Sequence, residues 1–122
     1  TILIVEDNDK NMKLARDVLQ AKGYRTLEAV NGTDGVALAL AHRPDLVLMD
    51  IQLPDINGVE AFSRIRGQAE TAHIPVVAFT ASVTPMDRNR ITDAGFNGFI
   101  SKPVNLKEFL ETIRRILEGA VS

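Results

Sequence analysis

Asp45-Leu46-Val47-Leu48-Met49-Asp50-Ile51-Gln52-Leu53-Pro54 is the stretch whose reading decides the fold. Leu46 to Met49 is an unbroken apolar run, the pattern of a strand buried on both faces of a parallel sheet that helices wrap. The run ends in a carboxylate, Asp50, and Pro54 follows four residues later, so the strand stops and the chain turns. In open parallel sheets, sites form beyond the carboxyl ends of the strands. Burying an acid there is costly, which points to a use for it.

The same pattern recurs upstream. Ile2–Val5 is a second apolar run, and it ends in Glu6 and Asp7. Asn8 or Asp9 then caps a helix with Leu14, Ala15, Val18 and Leu19 on its inner face, closed by Gly23. Arg25–Ala29 is shorter and less apolar, as an edge strand can be. Asn31-Gly32 reads as a turn, followed by a helix over Thr33–His42 with Val36, Ala37, Leu40 and Ala41 at helical spacing.

Downstream of Pro54, Asp55 or Asn57 caps a third helix that turns Val59, Phe62 and Ile65 inward. Ile74–Phe79 is the fourth strand, with Pro75 near its start and Thr80 at its end. Thr84-Pro85 opens a fourth helix that Ala94-Gly95 closes. Phe96–Ile100 is the fifth strand and runs into Ser101-Lys102-Pro103. Asn105 and Glu108 have capping-box spacing ahead of a last helix, whose stripe is Leu106, Phe109, Leu110, Ile113, Ile116 and Leu117.

Five alternating strand–helix units predict an α/β, flavodoxin-like, doubly wound parallel sheet of five strands in the order 2-1-3-4-5. Its topological switch point falls between the first and third strands, so Glu6, Asp7 and Asp50 are predicted to converge there.

The 122 residues are enough for one good core and too few for two, so residues 1–122 read as a single domain. A net charge of −2, with no Lys/Arg cluster interleaved with aromatics, argues against a nucleic-acid surface. The absence of cysteine excludes disulfides and thiolate metal sites. No apolar stretch approaches the roughly 18 residues of a membrane-spanning helix. A cytoplasmic protein with no membrane contact is the expectation, and a start at Thr1 rather than Met suggests trimming or processing.

Three carboxylates in one crevice repel, and Lys102 at the end of the fifth strand offers one opposing charge. A divalent cation would cancel the remainder. Oxygen-only ligands favour a hard ion, Mg²⁺ first and Mn²⁺ second, and such ions commonly share a site with a phosphate oxygen. Thr80, Lys102 and the backbone amides after Asp50 are suited to receive anionic oxygens.

Competing readings fare worse. An aspartyl-phosphate phosphohydrolase wants a second Asp two residues after the nucleophile, where Gln52 stands. A nucleotide- or flavin-binding module wants a glycine-rich loop after the first strand, where Glu6-Asp7-Asn8-Asp9 stands. A domain of this fold that only scaffolds is a third alternative; the full set of site residues argues against it, and turnover would decide it. His42 and His73 have no ligand-spaced partner and read as surface residues, while Met12, Met49 and Met86 read as apolar filler.

Taken together, Ile4-Val5-Glu6-Asp7, the stretch Leu48 to Pro54, Gly58, Thr80-Ala81 and Ser101-Lys102-Pro103 resemble, in order and spacing, the receiver domains of two-component response regulators, the CheY-like superfamily. Glu6-Asp7-Asn8, Asn11-Met12-Lys13-Leu14 and Ile100-Ser101-Lys102-Pro103 are similar to the stand-alone DivK-like members.

The resemblance implies that Asp50 accepts a phosphoryl group from a sensor histidine kinase or a histidine phosphotransfer protein. It implies Mg²⁺ held by Asp7 and Asp50 directly, by Glu6 through water and by the Gln52 carbonyl. Lys102 and Thr80 would contact phosphoryl oxygens, and Thr80, Ala81 and Phe99 would form the switch. Pro103 would follow a cis peptide bond. The chain would catalyse only its own phosphorylation and dephosphorylation. Gln52 and Ser82, each two residues past a site residue, would tune turnover. The signal would leave through the helix after Thr84, the fifth strand and the last helix, a face that includes Met86, Arg90 and Lys107, toward a downstream protein. A monomer or weak dimer without an output domain is expected. Phe99 stands where tyrosine is commoner in the family, so no hydroxyl is available to hydrogen-bond across that face.

Overall fold

A computed structural model describes residues 1–51, 58–80, 89, 91, 93–101 and 106–119. Strands β1 (Ile2–Val5), β2 (Thr26–Ala29), β3 (Leu46–Asp50), β4 (Val76–Thr80) and β5 (Gly98–Ser101) form one parallel sheet in the order β2-β1-β3-β4-β5. Helices α1 (Asp9–Ala21), α2 (Gly32–His42), α3 (Gly58–Arg66) and α4 (Leu106–Gly119) accompany it. The flavodoxin-like α/β architecture read from the sequence is the one observed. The helix predicted after Thr84-Pro85 lies largely outside the described residues, and within it Asn89, Ile91, Asp93 and Ala94 are helical.

Alternation along the strands divides the core in two. Ile2, Ile4, Leu46, Leu48, Val77, Phe79 and Ile100 face one side and meet Met12, Ala15 and Leu19 of α1 and Phe109 and Ile113 of α4. Leu3, Val5, Val47, Met49 and Val76 face the other side and meet Ala39 of α2 and Ala61, Phe62 and Ile65 of α3. Every residue of β1 and β3 is buried, which accounts for their unbroken apolar runs. β2, at the edge, has only Ala29 buried.

The helices correct several expectations. Asn8 is the cap of α1, accepting from the Lys10 and Asn11 amides, and Met12 takes the inward place predicted for Leu14, which is 38% exposed. The inner stripe is therefore Met12, Ala15 and Leu19, with Val18 at its margin. Asn31 is a helix cap rather than part of a free turn, its side chain accepting from the Asp34 amide 2.8 Å away.

The buried face of α2 is made of Gly32, Gly35 and Ala39, while Ala37 and Ala41 are exposed. Close approach to the sheet decides this, because a Cβ at Gly35 would lie 2.8 Å from Val5 Cγ2. On α3, Phe62 and Ile65 are buried as predicted and Val59 is half-buried. Leu106, assigned to the inner stripe of the last helix, is 48% exposed.

The last two strands begin later than predicted and end one residue later. Phe96 precedes β5 and stacks on Phe62 instead, ring centroids 4.3 Å apart. Arg66 lies 4.9 Å above the Phe62 ring and donates to the Ala72 carbonyl (3.1 Å), the Ile74 carbonyl and Asn97 Oδ1 (2.5 Å). Asn97 Oδ1 also accepts from the Val76 amide at 3.0 Å. One guanidinium thus ties α3 to the entrances of β4 and β5. Partial burial lowers the Arg66 pKa from the ordinary arginine value, and the group stays charged.

Candidate functional site

β1 and β3 are neighbours in register, Val5 opposite Met49, so the residues that follow each strand emerge together at one end of the sheet. Glu6 is held there by its own backbone, its amide donating to the Ala29 carbonyl at 2.9 Å. Carboxylate oxygens of Glu6, Asp7 and Asp50 all lie within 4.8 Å of one another. Glu6 is fully buried and Asp50 is 4% exposed, while Asp7 opens to solvent. The convergence predicted at the switch point is present.

Three acids at this separation raise each other's free energy in the charged form. The donor set is all oxygen and three-fold, one carboxylate reachable from water, and it fits Mg²⁺ or a similar hard cation. Among the described residues the cluster offers neither nitrogen nor sulfur ligands, so they give a softer metal no advantage.

β3 delivers Asp50 opposite Phe79 of β4, which places Thr80 at the adjoining strand end, across from Ser101 of β5. The backbone of Thr80 is therefore beside the acid crevice. Phe99 lies in β5 opposite Ala78 and is half-buried. Gln52, Ala81, Ser82, Lys102 and Pro103, predicted for the site, and Met86 and Arg90, predicted for the output face, lie outside the described residues. His42 and His73 are exposed, as read.

Gly58 packs against the backbone at the end of β3, and its amide donates to the Ile51 carbonyl at 2.8 Å. A Cβ there would sit 2.3 Å from the Asp50 carbonyl oxygen and 2.7 Å from Ile51 Cα. Both obstacles are backbone and cannot rotate aside, so only glycine lets α3 start against the end of β3.

Asn11 is the residue whose role sequence reasoning missed. Its side-chain amide donates to Glu6 Oε1 at 3.0 Å from the first turn of α1. The signal was present in the spacing: a cap at Asn8 places residue 11 on the turn that faces back toward the end of β1.

Residues 2–114 match the response regulator receiver domain family. The chain is 46% identical over 120 residues to the polar-differentiation response regulator DivK of Brucella anthropi, covering 98% of each, and 44% identical to that of Brucella ovis over the same length and shares. Among solved structures it is similar to the receiver domain of a sensor histidine kinase from Pseudomonas aeruginosa, which has a magnesium ion coordinated in its active site cleft. That likeness has a TM-score of 0.89 and 33% identity over 96% of each chain. A CheY-like receiver domain protein from Methanospirillum hungatei gives a TM-score of 0.89 at 27% identity, over 98% of this chain and 94% of its own.

Proposed function

The chain belongs to the response regulator receiver family and is a phosphoacceptor of two-component signalling, and on that premise we propose that Asp50 is the acceptor. The observation that carries the assignment is the convergence of Asp50 with Glu6 and Asp7 at the switch point. Of the three, Asp50 alone ends the central strand and has an adjoining strand end, that of Thr80, on its other side.

In the proposed reaction an Asp50 carboxylate oxygen attacks the phosphorus of a partner's phosphohistidine as the P–N bond breaks. The nitrogen keeps the bonding pair and, with a proton from solvent, leaves as neutral imidazole. The product is a mixed anhydride on Asp50. Hydrolysis is a second substitution in which water attacks phosphorus, the P–O bond to Asp50 breaks with its pair kept by the carboxylate, and inorganic phosphate carries off water's oxygen and protons.

Such a transfer needs positioning and charge neutralisation more than covalent help. Asp7, Asp50, the Gln52 carbonyl and, through water, Glu6 would hold Mg²⁺ or Mn²⁺, which would supply positive charge beside the phosphoryl oxygens. The magnesium in the Pseudomonas receiver's cleft supports this. Lys102 and Thr80 would receive the other phosphoryl oxygens. Gln52 and Ser82 would set how readily water reaches phosphorus, so the chain's catalysis is confined to its own phosphorylation and dephosphorylation.

The donors are a sensor histidine kinase or a histidine phosphotransfer protein. Thr80, Ala81 and Phe99 carry the change to the face of residues 85–94, β5 and α4, where a downstream protein docks. Among the described residues no helix is long and apolar enough to cross a membrane, and the proposed setting is the cytoplasm.

Acetyl phosphate with Mg²⁺, followed by borohydride trapping and peptide mapping, tests the assignment. Reduction at position 50 is the expected result, and a stable phosphate on Ser or Thr contradicts it.

A further inference from the structure

Glu6 is an acid with no exposure to solvent, so its carboxylate must be oriented by protein groups. One of them is the Asn11 amide, 3.0 Å from Glu6 Oε1. Asn11 is itself placed by a cap: Asn8 Oδ1 accepts from the amides of Lys10 (3.0 Å) and Asn11 (3.1 Å), and the Asn8 carbonyl accepts from the Met12 amide (2.9 Å). The first turn of α1 is thereby fixed relative to the end of β1, and the Asn11 side chain reaches back across it to the acid crevice.

We propose that Asn11 is a positioning residue for the cation site: its amide holds the Glu6 carboxylate in one orientation, from which Glu6 would reach a bound cation through water. The inference rests on the reading of the Glu6, Asp7 and Asp50 crevice as a Mg²⁺ site and goes beyond it. The chemistry of the amide is what suits it. A lysine here would cancel charge that the cation needs, and an acid would add repulsion. An amide donates to one carboxylate oxygen while adding no net charge.

Mg²⁺ demands near-ideal octahedral geometry and Ca²⁺ tolerates irregular, larger coordination. A locked Glu6 should therefore favour Mg²⁺, and a released one should favour it less. Glu6, reaching the ion through water, is itself an outer partner, and such partners commonly alter metal affinity by about tenfold or more, which sets the scale expected when Glu6 is released.

The test is calorimetric titration of the native chain, Asn11→Leu and Asn11→Gln with Mg²⁺ and separately with Ca²⁺, with melting of each metal-free protein alongside. Leucine keeps the size and removes the donor, whereas glutamine keeps the amide. In Asn11→Leu the Mg²⁺ affinity should fall by about tenfold and the Ca²⁺ affinity much less, so the ratio of the two drops, and Asn11→Gln should recover most of it. An unchanged ratio in Asn11→Leu overturns the proposal, whether both affinities hold or both fall together with the melting temperature. A native chain that binds no Mg²⁺ overturns the metal reading and this inference with it. Native-like Mg²⁺ preference in Asn11→Leu overturns the inference alone.

Discussion

Gly58 lies so close to Asp50 that a Cβ on it would be 2.3 Å from the Asp50 carbonyl oxygen. The residue that opens α3 therefore sets where the proposed phosphoacceptor sits. Gly58→Ala should cost about 2 kcal/mol or more, because backbone must move to admit the methyl group, and it should slow phosphorylation as well. At Gly98 the nearest obstacle is Ile116 Cδ1 at 2.5 Å, the free end of a flexible side chain. Gly98→Ala should cost less and leave phosphorylation alone. Urea unfolding and acetyl phosphate labelling of both variants check this, and equal losses would contradict it.

The acid crevice holds function against stability. Asp7 adds a third negative charge beside two buried acids, so Asp7→Asn should raise the melting temperature without metal by roughly 2–4 °C. The same change should abolish the rise that Mg²⁺ gives the native chain, since ligand binding stabilises only what binds it. Thermal melts with and without Mg²⁺ read both effects. A variant that melts lower and still responds to Mg²⁺ would show that Asp7 serves the helix rather than the cation.

Core and margin should separate cleanly on the face shared by α1 and α4. Phe109 is fully buried against Phe79, ring centroids 6.2 Å apart, and Phe109→Ala should cost about 3–5 kcal/mol. Leu14 and Leu106, both exposed, should change stability by no more than about 0.5 kcal/mol on truncation to alanine. Denaturant unfolding distinguishes these, and a large loss at Leu14 would place it in the core after all.

Much of this was legible in the sequence because a parallel sheet buried on both faces writes itself as short apolar runs. Leu46 to Met49 and Ile2 to Val5 could be read that way, and the acids that end them located the crevice. Helix faces are less legible. In α1 the expected and observed stripes share Ala15 and Leu19, and the choice between Met12 and Leu14 turns on a rotation of roughly 60° about the helix axis, which hydrophobicity alone does not fix. In α2 the buried face is glycine and alanine, because helix and sheet approach too closely for larger groups, and a search for bulky residues points the wrong way. The role of Asn11 is hidden in the sequence because asparagine near a helix start usually serves the backbone; here its partner is the Glu6 side chain at the preceding strand end.

Phe99 should govern how sharply the signal switches. Lacking a hydroxyl, its ring can turn inward at little polar cost, so the active arrangement should be partly populated before phosphorylation. Phe99→Tyr should shift that population outward. NMR of labelled methyl groups on β5 and α4, with and without beryllofluoride and Mg²⁺, follows it. A Tyr variant with more of the inward state in the absence of phosphate mimic would contradict this account.

The most direct test of the central claim is transfer from a phosphorylated histidine phosphotransfer protein to the native chain and to Asp50→Asn, each with Mg²⁺ or with EDTA. The native chain with Mg²⁺ should take the label in a hydroxylamine-labile form, and the EDTA and Asp50→Asn reactions should leave it on the donor. Equal labelling of Asp50→Asn, or labelling indifferent to EDTA, would contradict the assignment of Asp50 and its acid neighbours as the phosphoacceptor site.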